Sequence, residues 1–314
     1  MSMTNAELLK KADMTLADLA TAGHLNPEQA NVFLRKLMNT PTILTSARSV
    51  IMKAPERKIP KIGFGTRMLR RGQSGVALTE DQRYKPGLEQ VVLKTDEVIA
   101  EIHLPYDVFE DNIEGGNVAA GAFTSPGGLH TTIVELMAQR AAVDLEELGL
   151  LGDTTNATDD YLAMTDGWLK RANQNIVDAG GATFDRPVIK KVVKTMPDKY
   201  LRNRAALKHF VSVDNETELR DRFGDRNTPW GDTQVQGITP LYAHGSQIIG
   251  ASGMPGTDGL FTDPQNLIFG IQRDIQIEYD KDISKRVFIV VLTARVAFQI
   301  EEAEAIVRTR NITA

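Results

Sequence analysis

The chain has 314 residues, enough for one large domain or two smaller ones, and its hydrophobic (42%) and charged (25%) fractions are ordinary for a folded protein. It contains no cysteine, which excludes disulfides, thiolate metal sites and cysteine nucleophiles. The formal net charge of −5 gives no sign of a dedicated nucleic-acid binder, and no apolar run reaches membrane-spanning length. We also expect no signal peptide, because the N-terminus lacks a basic segment followed by an apolar one.

The first fifty residues have the pattern of short amphipathic helices. Thr4-Asn5-Ala6-Glu7 fits a capping box, and Asn26-Pro27 fits an N-cap followed by proline at the first helical position. Apolar residues then recur at helical spacing until Pro41; they are Ala30, Phe33, Leu34, Leu37 and Met38. Because such helices have little core of their own, we expect this arm to pack on another part of the chain or on a neighbour.

A long hairpin is predicted next. Residues 58–71 and 88–105 carry strand-like segments, and a glycine-rich, charged stretch separates them. An isolated two-stranded ribbon is marginally stable in water. We therefore expect neighbouring subunits to stabilise this arm, or the arm to be mobile.

The main helix is predicted after Gly127-Gly128, with Thr131 or Thr132 as its cap. Its broad apolar face consists of Ile133, Val134, Leu136, Met137, Ala141, Val143, Leu145 and Leu148. Arg140 and Asp144 are spaced for an ion pair on its surface, and glycines at 149 and 152 are expected to end it. Residues 151–156 and 165–168 then have the composition of the two turns of a hairpin.

Residues 175–280 have a mixed pattern. A helix is predicted to start at Asp185-Arg186-Pro187 and to end at Pro197, with Val188, Ile189, Val192 and Val193 on its apolar face. We expect a strand at 209–213, a short charged helix at 215–223 capped by Asp214, and strand fragments at 241–242 and 247–249.

The chain closes with three predicted strands, at 266–271, 274–280 and 286–300. The even positions of the last strand are all apolar, from Phe288 to Ile300, whereas its odd positions include Thr293, Arg295 and Gln299. About fifteen residues is long for a strand and suits an extended protein better than a compact one with a cleft. The predicted fold class is α+β.

Charge is unevenly distributed along the chain. Residues 53–71 hold seven basic side chains against Glu56 alone, a net charge of +6, and residues 141–169 hold seven acidic side chains and no basic one, a net charge of −7. Both segments could be solvated faces. Alternatively, the basic segment of one subunit meets the acidic segment of another, since such complementarity steers association and sets register.

The sequence carries no recognisable catalytic motif. Its glycine-rich stretches at 63–65 and 72–75 match neither the P-loop nor the dinucleotide fingerprint, and no nucleophile elbow is present. The five histidines are scattered, and the acidic stretch at 153–160 lacks the ligand spacing of a calcium loop. We therefore predict that the chain is not an enzyme and has no catalytic, cofactor-binding or metal-binding residues.

The order of these elements resembles that of the tailed-phage (Caudoviricetes) major capsid proteins, whose fold is the Hong Kong 97 type. The segments that carry the resemblance are residues 61–67, 98–105 with 109–111, 150–154 with 166–167, 237–241, 254–255, 266–270 with 275–278, and 288–301. The resemblance covers nearly the whole chain, and its specificity lies in the order of the segments.

This resemblance implies an N-terminal arm (1–55), an extended E-loop hairpin (56–97), a peripheral domain with a long spine helix (98–175, completed by 281–314) and an axial domain (176–280). The even face of the last strand is then expected to pack under the spine helix. Candidate intersubunit contacts are Arg67, Arg70, Arg71 and Lys85. No cross-linking residue can be carried over, and a fused scaffold of the size found in some relatives is not expected.

The function implied is that of a major capsid protein that assembles in the host cytoplasm into the icosahedral shell of a virion. Its partners would be copies of itself in pentamers and hexamers, the portal, scaffolding or decoration proteins, and packaged double-stranded DNA enclosed without sequence-specific binding; no membrane partner or cofactor is expected. Two alternatives remain open at this point. One is an encapsulin-like nanocompartment shell of the same fold, and the other is an α+β enzyme without a recognisable motif.

Overall fold

The structure is a computed structural model that describes residues 43–63, 69, 71, 79, 83, 87–105, 129–224 and 240–313. The α-helices of this part are α1 (Ile43–Ser46), α2 (Leu129–Leu151), α3 (Trp168–Arg171), α4 (Arg186–Thr195) and α5 (Val213–Gly224). The strands are β1 (Arg48–Ile51), β2 (Glu56–Gly63), β3 (Gly87–Lys94), β4 (Asp96–Pro105), β5 (Asn175–Asp178), β6 (Lys208–Ser212), β7 (Leu241–Ala243), β8 (Ser246–Ala251), β9 (Gly259–Thr262), β10 (Leu267–Asp282), β11 (Val287–Ile300) and β12 (Ile306–Arg310). The α+β prediction is confirmed. The predicted N-terminal helices lie outside the described residues.

A four-stranded sheet in the order β1-β10-β11-β4 forms the long layer of the molecule. The two strands predicted at 266–271 and 274–280 are one strand, β10, which continues through two register shifts beside β11. Such irregularities change the local pattern of side chains, and this is why the sequence pattern breaks where the strand does not. The predicted closing strand is confirmed as β11, with buried residues at its even positions.

Helix α2 packs on the even face of β11, as predicted. Leu145, Leu148 and Leu150 are buried in the same core as Ala294, Val296, Phe298 and Ile300. The helix begins at Leu129, so Thr131 and Thr132 lie inside it and do not cap it, and Gly149 is its third-last residue. A Cβ atom at Gly149 would lie 2.7 Å from the Phe298 ring, so the glycine permits this close packing.

The hairpin predicted after α2 is wrong. The chain instead forms a 3-10 turn (Leu162–Met164) and the short helix α3. The two predicted turns do meet, because Gly167 N donates to Gly152 O at 2.8 Å. A Cβ atom at Gly152 would lie 2.3 Å from the Thr165 carbonyl oxygen, so backbone approaches backbone here as only glycine allows. Gly152 and Gly167 are therefore needed for close contact between two backbone segments, and they do not mark the turns of a β-hairpin.

The second sheet has six strands in the order β5-β12-β9-β6-β8-β7. Helix α4 begins as predicted, since the Asp185 carboxylate accepts from Arg186 N at 2.6 Å, and its four predicted apolar residues are buried. Helix α5 begins one residue before Asp214, and Ser212 Oγ accepts from Asn215 N at 3.2 Å, so Asp214 lies in the first turn and is not the cap.

The C-terminal strand β12 lies inside this second sheet, paired with β5 on one side and β9 on the other. The expected domain division placed residues 281–314 with the spine helix, and β10, expected largely in the axial domain, pairs with β11. Sheet membership therefore crosses the expected boundaries at both places. The boundaries themselves stay a prediction.

A separate two-stranded sheet is formed by β2 and β3, paired antiparallel from Glu56↔Lys94 to Gly63↔Gly87. The predicted ribbon thus exists, with its outgoing strand ending at Lys94 before β4 enters the four-stranded sheet. Within the described ranges, none of the helices is both long and apolar enough to cross a membrane.

Candidate intersubunit surfaces

The root of the β2–β3 ribbon is fixed to the four-stranded sheet by a small apolar cluster. Met52 and Leu93 pack with Val50, Ile268 and Ala297. A Cβ atom at Gly270 would lie 2.9 Å from Met52 Sδ and 3.0 Å from Leu93 Cδ2, so the ribbon root sits directly on the β10 backbone. Since Ala297 is Gly270's partner in β11, the root covers the odd face of that strand at this end.

Polar contacts hold the ribbon both at its root and farther out, near the Gly63–Gly87 end of the described pairing. Lys61 pairs with Glu89 across the ribbon at 3.4 Å and with Glu302, which follows β11 in the chain. Burial alone would lower the pKa of Lys61, but hydrogen bonds and charges from Glu302 and Glu89 outweigh it and raise the pKa above its usual value. Gln299 Nε2 also donates to Val92 O at 3.0 Å. The ribbon therefore leaves the body from a defined position.

The four predicted contact residues lie between β2 and β3. Arg71 is exposed, and its neighbour Leu69 is 80% exposed. Arg67, Arg70 and Lys85 lie outside the described residues. An intersubunit role for all four stays a prediction.

The acidic segment at 141–169 is partly neutralised by its own chain. Lys170 Nζ lies 2.6 Å from Asp153 and 2.8 Å from Asp166, and Arg140 pairs with Asp144 at 2.8 Å, as predicted. Hydrogen bonds from Lys170 and from Thr155 lower the pKa of Asp153 from its usual value to about 2. The net charge counted for residues 141–169 is therefore larger than the negative charge that a partner would meet. The cations that neutralise it, Arg140 and Lys170, lie just outside the two ends of the segment.

Another surface was missed by sequence reasoning. On the odd face of the four-stranded sheet, Val291 lies between Glu278 and Glu101, and the next row places Ile289 between Asp280 and His103. Ile99, beside this strip on β4, is 67% exposed. We call Ile99, Glu101, Glu278, Asp280, Ile289 and Val291 the open sheet face. This surface mixes aliphatic and acidic side chains from three strands, so no single segment of the sequence reveals it.

No group of three or more metal-ligating side chains was found among the described residues. Buried His209 stacks on Phe261 with ring centroids 4.1 Å apart, and Phe184 lies edge-on to it at 6.1 Å. Burial, with a smaller effect from His244, lowers the pKa of His209 to about 3. An uncharged imidazole between two phenyl rings is a core residue.

The chain is similar over nearly its whole length to the Bacillus subtilis (strain 168) protein named "Putative prophage capsid protein YqbE", with 43% identity over 318 residues that cover 98% of each chain. No family model matches it.

Solved structures of similar shape come from capsids and phages. The capsid of the native GTA particle matches with a TM-score of 0.65 and 16% identity, covering 96% of this chain and 100% of that one. The chain from Mycobacterium phage Che8 matches with 0.60 and 12% identity, covering 90% and 96%. The satellite phage P4 procapsid chain matches with 0.58 and 13% identity, covering 87% and 95%. At these identities, the likeness establishes a shared fold.

Proposed function

Because this chain belongs to the phage capsid proteins with the Hong Kong 97-type fold, we propose that it is a major capsid protein whose copies form the icosahedral head shell around double-stranded DNA. The observation that carries the proposal is the 43% identity to a capsid protein over 98% of both chains. The long sheet, the projecting ribbon and the helix-backed core suit a subunit whose work is assembly.

In this proposal, pentamers and hexamers of the chain make up the shell of the virion, and assembly takes place in the host cytoplasm. The ribbon, held at its root by the Met52 cluster and farther out by Lys61, lies over an adjacent subunit. The N-terminal arm (1–55) crosses to another subunit, and the axial domain (176–280) faces the centre of each capsomer. Portal, scaffolding and decoration proteins join the shell, which holds DNA by confinement.

Electron microscopy of the purified protein tests this function. We expect closed shells of uniform size, and shells from a lysate in which the phage is produced should carry its genomic DNA. A monomer or small oligomer under all assembly conditions would contradict the shell. Shells that enclose an enzyme and no DNA would instead identify a nanocompartment.

Reversal of Arg67, Arg70 and Arg71 to Glu tests the basic ribbon segment. We expect loss of shells while the circular dichroism and thermal unfolding of the subunit stay unchanged, because exposed charges such as that of Arg71 contribute little to folding. Unchanged assembly would mean that the basic residues form only a solvated face.

A further inference from the structure

We propose that the exposed side of helix α4 binds the phosphate backbone of double-stranded DNA and does so without reading its sequence. This side carries Arg186, Lys190 and Lys194, which we call the basic face of α4. The inference rests on the proposed shell function for the source of the DNA. It adds a defined contact surface to a shell that otherwise holds DNA by confinement.

The basic character of this region is hidden by the acidic balance of the whole chain. Residues 186–208 hold eight basic side chains against Asp198 alone, a net charge of +7, whereas the chain as a whole has a net charge of −5. Seven of these eight basic side chains are exposed. Cations clustered on one part of a surface raise the local concentration of anions and are the electrostatic footprint of nucleic-acid binding.

Helix α4 separates its cations from the core. Its valine and isoleucine residues pack in the core of the second sheet, and its basic residues are exposed. Arg186, Lys190 and Lys194 follow one another at intervals of four residues, so they lie on one side of the helix and about 6 Å apart along its axis. Like charges at this spacing repel each other and destabilise the helix, and an anionic partner would relieve the repulsion.

The basic face is not neutralised by the rest of the described chain. Among the described residues, no carboxylate forms an ion pair with Arg186, Lys190 or Lys194. The Asp185 carboxylate caps the helix by accepting from Arg186 N at 2.6 Å, and it pairs with Arg222 at 3.4 Å. The three cations of the face are therefore available to a partner.

The side chains of α4 fit phosphate groups better than base edges. Two of the three cations are lysines, whose ammonium groups bind phosphate as point charges. The helix has no aromatic, asparagine or glutamine side chain with which to stack on bases or to read adenine. We therefore expect an affinity that does not depend on DNA sequence and that falls as the salt concentration rises.

The amount of charge favours DNA over a protein partner. The basic face spans about 12 Å along the helix axis, and a DNA duplex carries about seven phosphate charges in that length. The competing partner that this chain offers is α5 of a second copy, where Asp214, Glu218 and Asp221 are exposed. Residues 213–224 have a net charge of only −2, which would leave most of the +7 unbalanced.

Binding of a short fluorescent duplex to the unassembled full-length subunit, followed by anisotropy at about 50 mM salt, tests the contact. The triple variant Arg186→Gln, Lys190→Gln, Lys194→Gln should bind at least tenfold more weakly. Its plot of log K against log salt should be shallower by about 2.7, since each lost phosphate contact removes about 0.9 from the slope.

The matched control for this titration is Lys53→Gln, Lys94→Gln, Lys285→Gln. It also removes three exposed lysines and therefore changes the net charge equally. We expect it to bind within twofold of the unaltered subunit. Equal weakening by both triple variants, or no duplex binding by the unaltered subunit, would overturn the assignment.

Cross-linking inside DNA-filled shells tests the contact in the particle. Formaldehyde should join Lys190 and Lys194 to DNA at least tenfold more often than Lys53 or Lys285, as counted by mass spectrometry of the peptides. In a parallel sample, a carbodiimide joins lysines to carboxylates in contact. Links from Lys190 or Lys194 to acidic residues of a second copy, without DNA adducts, would make the face a protein interface and overturn the proposal. If the chain forms no shells, the proposed function fails, and the duplex titration still decides whether the face binds DNA.

Discussion

Gly149 shows how one missing side chain sets the distance between the long helix and the sheet. A Cβ atom of residue 149 would lie 2.7 Å from the Phe298 ring, and that ring is held in place by Trp168 edge-on at 5.4 Å and by Phe269 stacked at 5.4 Å. Because close-packed rings in a core cannot move independently, the ring has little room to yield.

We therefore expect Gly149→Ala to destabilise the subunit by about 1–3 kcal/mol, although alanine is the better helix former. Urea unfolding of the unassembled subunit measures this. Gly256→Ala is the matched control, since nothing lies within 4 Å of a Cβ atom there. An increase in stability for Gly149→Ala would mean that α2 shifts freely over β11.

His209 makes stability depend on pH. Burial lowers its pKa in the folded subunit to about 3, whereas an unfolded histidine titrates near 6.5. The unfolded chain therefore binds the extra proton between these values, so the contribution of His209 is complete above pH 6.5 and is lost as the pH falls towards 3.

Between pH 7 and pH 5, this residue should cost the folded state about 2 kcal/mol. His209→Phe keeps the ring stack on Phe261 and has no proton to bind, so its stability should fall by that much less over the same interval. Urea unfolding at both pH values gives the comparison. Equal losses in both proteins would show that His209 is accessible to protons in the folded state.

At the scale of elements, the short connection from β11 to β12 ties several parts of the chain together. Glu301 pairs with Arg48 of β1 at 2.8 Å, Glu302 with Lys61 of the ribbon, and Glu304 with Lys199, which lies between α4 and β6. Glu304 has a lowered pKa, chiefly because Lys199 donates a hydrogen bond to it. The acidic connection from β11 to β12 thus forms ion pairs with β1, with the ribbon and with the segment between α4 and β6.

Glu302→Gln should loosen the ribbon without unfolding the subunit. Lys61 keeps Glu89, and a partly exposed ion pair contributes at most about 1 kcal/mol, so global stability should change little. Amide hydrogen exchange in β2 and β3 should become faster. Glu304→Gln is the control and should leave hydrogen exchange in the ribbon unaltered. Equal acceleration by both variants would show that the Lys61–Glu302 pair has no specific role in holding the ribbon.

The elements with strong periodicity could be predicted from the sequence. The alternation in β11, the Asp185 cap of α4 and the apolar stripe of α2 each use a local signal that tertiary structure reinforces. Strand β9 is buried at all four positions, so it has no alternation to read, and β12 was missed because its partners lie about 45 and 130 residues away in the chain. The open sheet face could not be predicted, since it forms only when three distant strands align.

At the scale of the whole molecule, the second sheet depends on the last residues of the chain. Ile306 and Val307 are fully buried, and Ile312 is 3% exposed. Truncation after Ile300 removes the strand between β5 and β9 and opens the core that α4 covers. We expect an insoluble product or one without cooperative unfolding. Removal of Ala314 alone is the control and should leave solubility and the unfolding transition unchanged; a soluble, cooperative truncated chain would contradict this dependence.

The central place of β12 also has a consequence for biosynthesis. A ribosome delivers β12 after every other strand of the second sheet, so that sheet lacks an interior strand until β12 has been made. The β2–β3 ribbon is therefore synthesised long before the second sheet can be completed. Because β12 completes the second sheet, polypeptides that stop before it should be poor candidates for incorporation, so the order of synthesis should favour complete subunits in a shell.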